Sequence, residues 1–132
     1  MAWFVIAGVT GRPLNIYGDG KQVRDLLYID DLLDAYDAVL AQIDNAAGKI
    51  YNLGGGVENA ISIWKEFGPL LENLIGHELP IILGDWRPGD QRVFIADIRK
   101  AERELGWRPK VNIEEGVTRL IEWVRENKEL FN

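Results

Sequence analysis

Apolar residues recur with helical spacing in two stretches of the chain. We expect Asp30 to cap the first helix, whose apolar face carries Leu32, Leu33, Tyr36, Val39 and Leu40. The second helix is predicted to begin at an Asn-x-x-Glu capping arrangement, Asn112 with Glu115, and to run to about Asn127. Its apolar side consists of Val117, Leu120, Ile121 and Val124. Both patterns predict amphipathic helices.

Three further segments are predicted to be helical. The apolar start, MAWFVIAGVTG, is typical of the end of a helix. The segment IWKEFGPLLENLIG follows a candidate cap at Ser62, and Gly68-Pro69 inside it predicts a kink or a break. The last segment begins at Asp97 and stops at Gly106, a residue suited to a left-handed C-cap.

Short apolar runs bounded by turn residues predict the strands. We interpret LNIYGDGKQVRDLLYI as two strands joined by a hairpin whose turn is Asp19-Gly20. The runs GKIYNL (48–53) and LPIIL (79–83) predict two more strands. We expect residues 1–132 to form a single mixed α/β (α+β) domain with four to five helices and short strands. The regular strand–helix alternation of a complete doubly wound sheet is not expected.

The charge and composition narrow the classes of partner. The formal net charge of −6, without a run of Lys or Arg, argues against nucleic acid or an anionic membrane as the main partner. There is no cysteine and only one histidine, which excludes thiolate chemistry and a histidine-based metal cluster. No apolar run approaches the roughly 20 residues of a membrane span, and the N-terminus lacks signal-peptide features. We therefore expect a cytoplasmic protein that acts on a small ligand.

Three loops are rich in glycine, at 18–20, 54–56 and 84–89. None has the Gly-x-Gly-x-x-Gly spacing of a dinucleotide site or the Gly-Lys-Ser/Thr of a P-loop. We interpret the Gly54–Gly56 run as a tight exit from a strand rather than as a cofactor cradle. No Ser-x-x-x-Tyr-x-x-x-Lys or Ser-His-Asp set is present, so the sequence offers no complete catalytic group.

Arg24 and Arg87 are the candidate anion-binding residues, since each stands beside a loop glycine and an aspartate. A planar guanidinium can grip phosphate oxygens through two hydrogen bonds. The alternative is that both arginines form local salt bridges in turns, which stabilise a protein little when exposed. Tyr17, Tyr28 and Trp86 flank the same loops, where they could stack on a base or sugar or simply pack in the core.

Acidic residues at the start of the first helix, among them Asp31, are explained by the helix dipole and by solvation rather than by paired-carboxylate catalysis.

Three stretches of the sequence together resemble a known family. They are PLNIYGDGKQVRDLLYIDDLLDAYDAVL, YNLGGGVENAIS and WRPGDQRVFIADIRKAERELGWRPKVNIEEGVTRLIEWV. They resemble the substrate-binding portion of extended short-chain dehydrogenases/reductases that act on nucleotide sugars, the NAD-dependent epimerase/dehydratase family. The last stretch is most similar to CDP-paratose (tyvelose) 2-epimerases. The motifs follow the family's order and cover essentially the whole chain.

The resemblance implies a site for a nucleotide sugar, CDP- or UDP-linked. It implies that Arg24 contacts the diphosphate and that Arg87 grips it from the other side. It further implies that Asp90 hydrogen-bonds the ribose and that Ile16 and Tyr17 lie against the base.

Two more positions receive roles from the resemblance. Gln22 is a weaker candidate for the sugar or phosphate side of the ligand. Asn52 would end a strand at the edge of the family's dinucleotide-binding sheet, which makes it structural.

The resemblance does not include the family's N-terminal Rossmann domain. That domain carries the Gly-x-x-Gly-x-x-Gly turn that seats NAD and the Tyr-x-x-x-Lys pair, with its Ser/Thr partner, that moves protons. The family's reaction removes a hydride from a sugar carbon, rearranges the keto intermediate and returns the hydride. We therefore expect this chain to hold no catalytic residue and no NAD site of its own, and not to complete that cycle alone.

Three hypotheses about function remain open at this point. The chain could be the nucleotide-sugar-binding portion of an epimerase, or a non-catalytic interaction module that pairs with a separate Rossmann half or forms a homodimer. The second would use the apolar faces of helix 30–43 and strand 49–53. The third is a remnant without a selected function.

Overall fold

Helix α1 (Ala2–Thr10) packs against helix α6 (Ile113–Glu126) at the centre of the larger of two cores. Helix α4 (Phe67–Ile75) packs against both of them. The structure is a computed structural model that describes residues 1–131. The buried residues of this core are Val5, Ala7, Leu14, Ile16, Phe67, Leu71, Leu79, Val117, Ile121 and Val124. The predicted apolar side of the last helix is confirmed, with Leu120 packed at the margin.

Three further helices complete the helical set among the described residues: α2 (Ile29–Ala41), α3 (Ile43–Ala46) and α5 (Arg99–Leu105). Helices α2 and α5 pack on a smaller core whose buried residues are Ala35, Ala46, Ala101, Leu105 and Trp107. Short 3₁₀ helices lie at Val57–Asn59 and Lys128–Phe131. The predicted mixed α/β fold class is confirmed, and none of these helices is long and apolar enough to cross a membrane.

Five short strands form two small sheets within the part of the chain that the structure describes. Strand β1 (Leu14–Tyr17) runs parallel to β4 (Ile81–Gly84). In the other sheet β2 (Val23–Asp25) lies between β3 (Ala60–Ser62), to which it is antiparallel, and β5 (Val93–Phe94), to which it is parallel. Strand β2 and the loop that leads into β5 supply most of the residues of the candidate site.

The predicted hairpin between β1 and β2 is wrong, because the two strands belong to different sheets. The backbone of the turn between them forms hydrogen bonds with residues outside the two strands, and not across a hairpin. The N–H of Gly18 donates to the carbonyl of Gly84, and the carbonyl of Gly20 accepts the N–H of Trp64. Gly18 and Gly20 have φ angles of 76° and 72°, which glycine adopts at little cost. The connection therefore joins two sheets.

The strand predicted at 48–53 is also wrong, since these residues form no strand. The carbonyl of Ile50 instead accepts a hydrogen bond from Lys100 Nζ at 2.8 Å. A short apolar run predicts a strand only when a neighbouring strand supplies the ladder, and no described strand lies beside this segment.

Two predicted helix starts need correction. Helix α2 begins at Ile29, so Asp30 lies inside its first turn and makes no cap hydrogen bond. Helix α4 begins at Phe67 rather than after Ser62. Ser62 and Glu66 do bond reciprocally, each side chain accepting the other's backbone N–H at 2.9 Å, but the segment between them is a turn. Gly68-Pro69 falls in the first turn of α4, where proline costs no helical hydrogen bond.

The other predicted helix ends agree with the structure, except that α5 begins at Arg99 rather than at Asp97. Gly11 and Gly106 end α1 and α5 in the left-handed conformation. Asn112 caps α6, its side chain accepting the N–H of Glu115 at 2.9 Å. Strand β4 lies within the predicted run 79–83, apart from one residue at its end.

Candidate functional site

Polar residues from three separate segments meet where β2 and β5 run side by side. Tyr17 ends β1, Gln22 and Arg24 lie at the start of β2, and Arg87 and Asp90 belong to the loop between β4 and β5. The parallel register, with Val23 opposite Val93, brings that loop alongside Arg24. Residues far apart in sequence therefore form one cluster.

The carboxylate of Asp90 is the centre of this cluster. Arg24 Nη2 donates to Asp90 Oδ1 at 3.1 Å, and Arg87 Nη2 lies 3.8 Å from Oδ2. Gln22 Nε2 also approaches Oδ2, at 3.4 Å. The Asp90 side chain is only 13% exposed, so solvent screens these charges less than it screens an open surface pair.

Arg24 is held in place by more than its ion pair. Its Nη1 donates to the carbonyl of Val23 at 2.7 Å, and Nη2 donates to the carbonyl of Gln91 at 2.8 Å. A guanidinium carries five N–H groups, of which these contacts and the bond to Asp90 use three. An approaching anion would thus meet a cation whose position is already fixed.

Arg87 has a different environment. Its side chain is 62% exposed, and its Cζ atom lies 4.6 Å from the centre of the Tyr17 ring. The Tyr17 ring also lies against Gly84, where an added Cβ would stand 3.1 Å from Cδ1. Arg87 thus combines a long ion pair with a cation–π contact and keeps access to solvent.

Gln22 and Ile16 lie deeper than the arginines. Gln22 is 1% exposed and donates from Nε2 to the carbonyl of Tyr17 at 2.7 Å. Its Oε1 is buried without a hydrogen-bond partner among the described residues. Ile16 is also 1% exposed, with its side chain in the larger core, so only its backbone could face a ligand. The structure brings Tyr17, Gln22, Arg24, Arg87 and Asp90 together and places the Ile16 side chain away from them.

Two aspartates have structural roles that the sequence did not indicate. Asp25 Oδ2 accepts the N–H groups of Gly56 and Ala96, both at 3.1 Å. Asp31 is 2% exposed, and its two carboxylate oxygens accept the N–H groups of Lys110 and Val111, both at 3.0 Å. Dipole complementarity therefore does not explain Asp31. A buried carboxylate this far from its partners in sequence leaves no local signal.

The Gly54–Gly56 loop does not fit a dinucleotide. It follows no strand, which corrects its interpretation as a strand exit. A Cβ added at Gly54 would lie 2.3 Å from Asp25 Oδ2, and one at Gly55 would lie 2.0 Å from the carbonyl oxygen of Leu26. These glycines let the Asp25 carboxylate and the Leu26 carbonyl approach the loop, and Asp25 accepts the N–H of Gly56, so packing within the protein accounts for the glycine run without a cofactor.

A Tyr-x-x-x-Lys spacing does occur in the sequence, at Tyr17 and Lys21, contrary to the expectation that this pair is absent. Tyr17 ends a strand and Lys21 follows the turn, so the two residues do not share a helix face as i and i+4. This geometry does not reproduce a helix-borne proton-transfer pair. Within residues 1–131 no group of three His, Cys, Asp or Glu side chains is placed to hold a metal ion.

Two cavities adjoin this region differently. One of about 350 Å³ is lined in part by Arg24, Asp25 and Tyr28. A larger one of about 590 Å³ lies between the loop 55–59 and residues 95–99 and contains none of the predicted site residues. The candidate site for an anionic ligand is therefore the cluster around Asp90, where two guanidiniums meet, rather than the larger of these two cavities.

Comparison with known proteins agrees with the resemblance. The model of the GDP-mannose 4,6 dehydratase family matches residues 5–120. CDP-paratose 2-epimerase from Salmonella typhi is 37% identical over 112 residues, 85% of this chain and 33% of the relative. UDP-glucuronate 4-epimerase from Thermodesulfobacterium geofontis (strain OPF15) is 40% identical over 120 residues, 91% of this chain and 36% of the relative.

A solved structure extends the likeness to three dimensions. UDP-glucuronic acid 4-epimerase from Bacillus cereus, in complex with UDP-glucuronic acid and NAD, superposes with a TM-score of 0.85 at 30% identity. The match covers 96% of this chain and 40% of that one. The chain thus spans about a third of the length of the curated relatives it matches. It belongs to the GDP-mannose 4,6 dehydratase family, within the extended short-chain dehydrogenases/reductases, and corresponds to their C-terminal part.

Proposed function

We propose that this chain is the nucleotide-sugar-binding portion of an NAD-dependent sugar epimerase or dehydratase, and that Arg24 and Arg87 hold the diphosphate. The observation that carries the proposal is the meeting of both guanidiniums at one carboxylate, Asp90. Asp90 balances only one of the two positive charges, so the pair of guanidiniums keeps a net positive charge that would attract a diphosphate. Arg87 pairs with Asp90 within its own loop, as a local turn salt bridge does, but Arg24 pairs with a residue 66 positions away.

Each residue of the cluster has a distinct role in this proposal. Arg24 is the fixed anchor of the diphosphate, and Arg87 is the exposed arm that closes on it. Asp90 accepts hydrogen bonds from the ribose hydroxyls while it stays paired with both guanidiniums. Gln22 positions the carbonyl of Tyr17 and the Asp90 carboxylate, and the Tyr17 ring together with the Ile16 backbone borders the base.

The ligand class follows from the charge and from the relatives. The relatives include proteins named for CDP- and UDP-linked sugars, and one solved structure contains UDP-glucuronic acid. We propose a CDP- or UDP-sugar as the ligand. NAD, which the Bacillus cereus enzyme binds, would supply hydride transfer in a complete protein. The described residues would bind and orient the sugar nucleotide and exclude water from its diphosphate.

Isothermal titration with CDP and with UDP tests the proposal. The wild-type chain should bind at least one of them, and Arg24→Ala and Arg87→Ala should each weaken binding by about tenfold or more, since each removes a charge-assisted hydrogen bond. Arg125→Ala is the matched control, because Arg125 is exposed in the last turn of α6. Absence of binding at millimolar nucleotide, or an equal loss in Arg125→Ala, would refute it.

A second candidate function, an interaction module, is favoured by one specific surface. Helix α2 and the segments after it expose a set of large apolar side chains: Ile29, Leu33, Tyr36, Leu40, Ile43 and Ile50. A patch of this kind is typical of an interface. It would pair with a separate Rossmann half or with a second copy of the chain. Light scattering tests self-association: a monomer at high concentration in the wild type contradicts the homodimer, whereas a dimer dissociated by Leu33→Ser supports it.

A further inference from the structure

The indole of Trp86 lies directly against the backbone of Gly18. A Cβ atom added at Gly18 would stand 2.7 Å from Trp86 Cε2 and 2.8 Å from Cδ2, so no residue with a side chain fits under this ring. Gly18 also has a φ of 76°, which disfavours any other residue. The turn after β1 is thus shaped to hold the indole in place.

Arg92 also contacts the Trp86 ring. Its Cζ atom lies 5.2 Å from the centre of the Trp86 ring. The backbone of Arg92 is itself anchored, because its carbonyl accepts the N–H of Val23 at 2.8 Å where β2 and β5 meet. Despite these contacts Trp86 stays 40% exposed. A rigidly held aromatic ring with an open surface is suited to contact a flat ligand group.

Trp86 adjoins the cluster around Asp90. The same added Cβ at Gly18 would stand 2.8 Å from Gln22 Nε2, so the amide of Gln22 and the Trp86 ring meet at Gly18. That amide donates to the carbonyl of Tyr17 and approaches Asp90. The Trp86 ring therefore lies beside Gln22, whose amide approaches Asp90, the residue that binds the ribose in the proposed function.

We propose that Trp86 is a further ligand-binding residue, whose exposed ring packs on the base of the bound nucleoside diphosphate; this inference rests on the proposed function. Tyr17 is 38% exposed with Arg87 over its ring, and Trp86, at 40%, adds a second half-exposed ring beside the cluster, so a base held there contacts both rings. Stacking on an indole tolerates any base. Trp86 thus adds affinity for the nucleoside and none for the diphosphate.

Titrating two ligands separates these contributions. Wild-type protein, Trp86→Ala and Trp3→Ala are each titrated with CDP and with inorganic pyrophosphate. Trp3 is the matched control, since it is 51% exposed and also has an arginine, Arg12, over its ring at 5.9 Å. We expect Trp86→Ala to weaken CDP binding about tenfold and to leave pyrophosphate binding unchanged, because only the base loses its contact. Trp3→Ala should change neither.

A fluorescence measurement uses a variant that keeps an aromatic ring. CDP should quench the tryptophan emission of the wild type and of Trp3→Phe, and the quenching should disappear in Trp86→Phe while CDP binding persists. Unchanged CDP affinity in Trp86→Ala, an equal loss for CDP and pyrophosphate, or quenching that survives in Trp86→Phe would each overturn the inference. A wild type that binds neither ligand would instead refute the proposed function, and with it this inference.

Discussion

The Oδ2 atom of Asp25 accepts the backbone N–H of Gly56 at 3.1 Å. The same oxygen accepts the N–H of Ala96, so one carboxylate ties the glycine loop and the segment after β5 to β2. Its neighbour Arg24 faces the cluster around Asp90. The adjacent residues of the Arg-Asp pair therefore differ in their contacts: Asp25 fixes the local fold, and Arg24 joins the cluster proposed to bind the ligand.

Replacing Asp25 should destabilise the fold. Asp25→Ala leaves two partly buried N–H groups without their acceptor, which should lower the free energy of unfolding by about 1–3 kcal/mol. Urea unfolding followed by tryptophan fluorescence measures the loss. Asp37→Ala, at an exposed position of α2, is the control and should change stability by less than about 0.5 kcal/mol. Similar values for the two variants would show that the Asp25 contacts contribute nothing.

Gly55 tests the close packing of the glycine loop. A Cβ at this position would lie 2.0 Å from the carbonyl oxygen of Leu26, and backbone atoms cannot move aside cheaply. Gly55→Ala should therefore lower the free energy of unfolding by more than about 2 kcal/mol. Gly76→Ala is a fitting comparison, since Gly76 has a φ of 89° and open space around it, and should cost only about 1 kcal/mol. Equal losses in urea unfolding would contradict the steric argument.

Local signals explain which parts of the fold the sequence predicted. The Asn112 cap and the Gly106 stop depend on residues within one helical turn, and both were correct. The hairpin failed because the partners of β1 and β2 are strands distant in sequence, which no turn dipeptide can specify. The strand at 48–53 failed for a related reason, since it has no strand beside it among the described residues.

The candidate site shows the same division. Residue type and loop position singled out Arg24 and Arg87, and the resemblance added Asp90. That Arg24 reaches the carboxylate of Asp90, which Arg87 approaches within its own loop, follows from the parallel pairing of β2 with β5, which the sequence did not predict. The burial of the Ile16 side chain likewise depends on its strand's orientation to the core.

Asp97 should make stability depend on pH in the acid range. Hydrogen bonds from Arg99 lower the pKa of the Asp97 carboxyl from 3.8 to about 2. Because the folded-state pKa is the lower one, the stabilisation is fully present above pH 3.8 and is lost as the pH falls towards about 2. Melting temperatures measured across this interval should therefore fall less steeply in Asp97→Asn than in the wild type. Arg99→Gln should give the same flattening, and parallel curves for all three proteins would contradict the assignment.

Substitutions of Arg24 and of Arg87 should differ in their effect on stability, although the proposed function gives both residues a role in binding the ligand. Arg24 donates to the carbonyls of Val23 and Gln91 and to Asp90, so Arg24→Ala should lower the free energy of unfolding by about 1–2 kcal/mol. Arg87 is 62% exposed with a long ion pair, so Arg87→Ala should change it by less than about 0.5 kcal/mol. Urea unfolding without ligand measures both.

Lysine substitutions at the same two positions separate the effect of positive charge from that of guanidinium geometry. If Arg24 is the fixed anchor, Arg24→Lys should fail to restore stability, because an ammonium cannot span the two carbonyls and the carboxylate with the planar fork of a guanidinium. Arg87→Lys keeps a cation at this exposed position and should therefore retain more nucleotide affinity than Arg87→Ala in the titration. Equal stability of Arg24→Lys and the wild type would show that charge alone, and not the guanidinium geometry, holds this corner of the site.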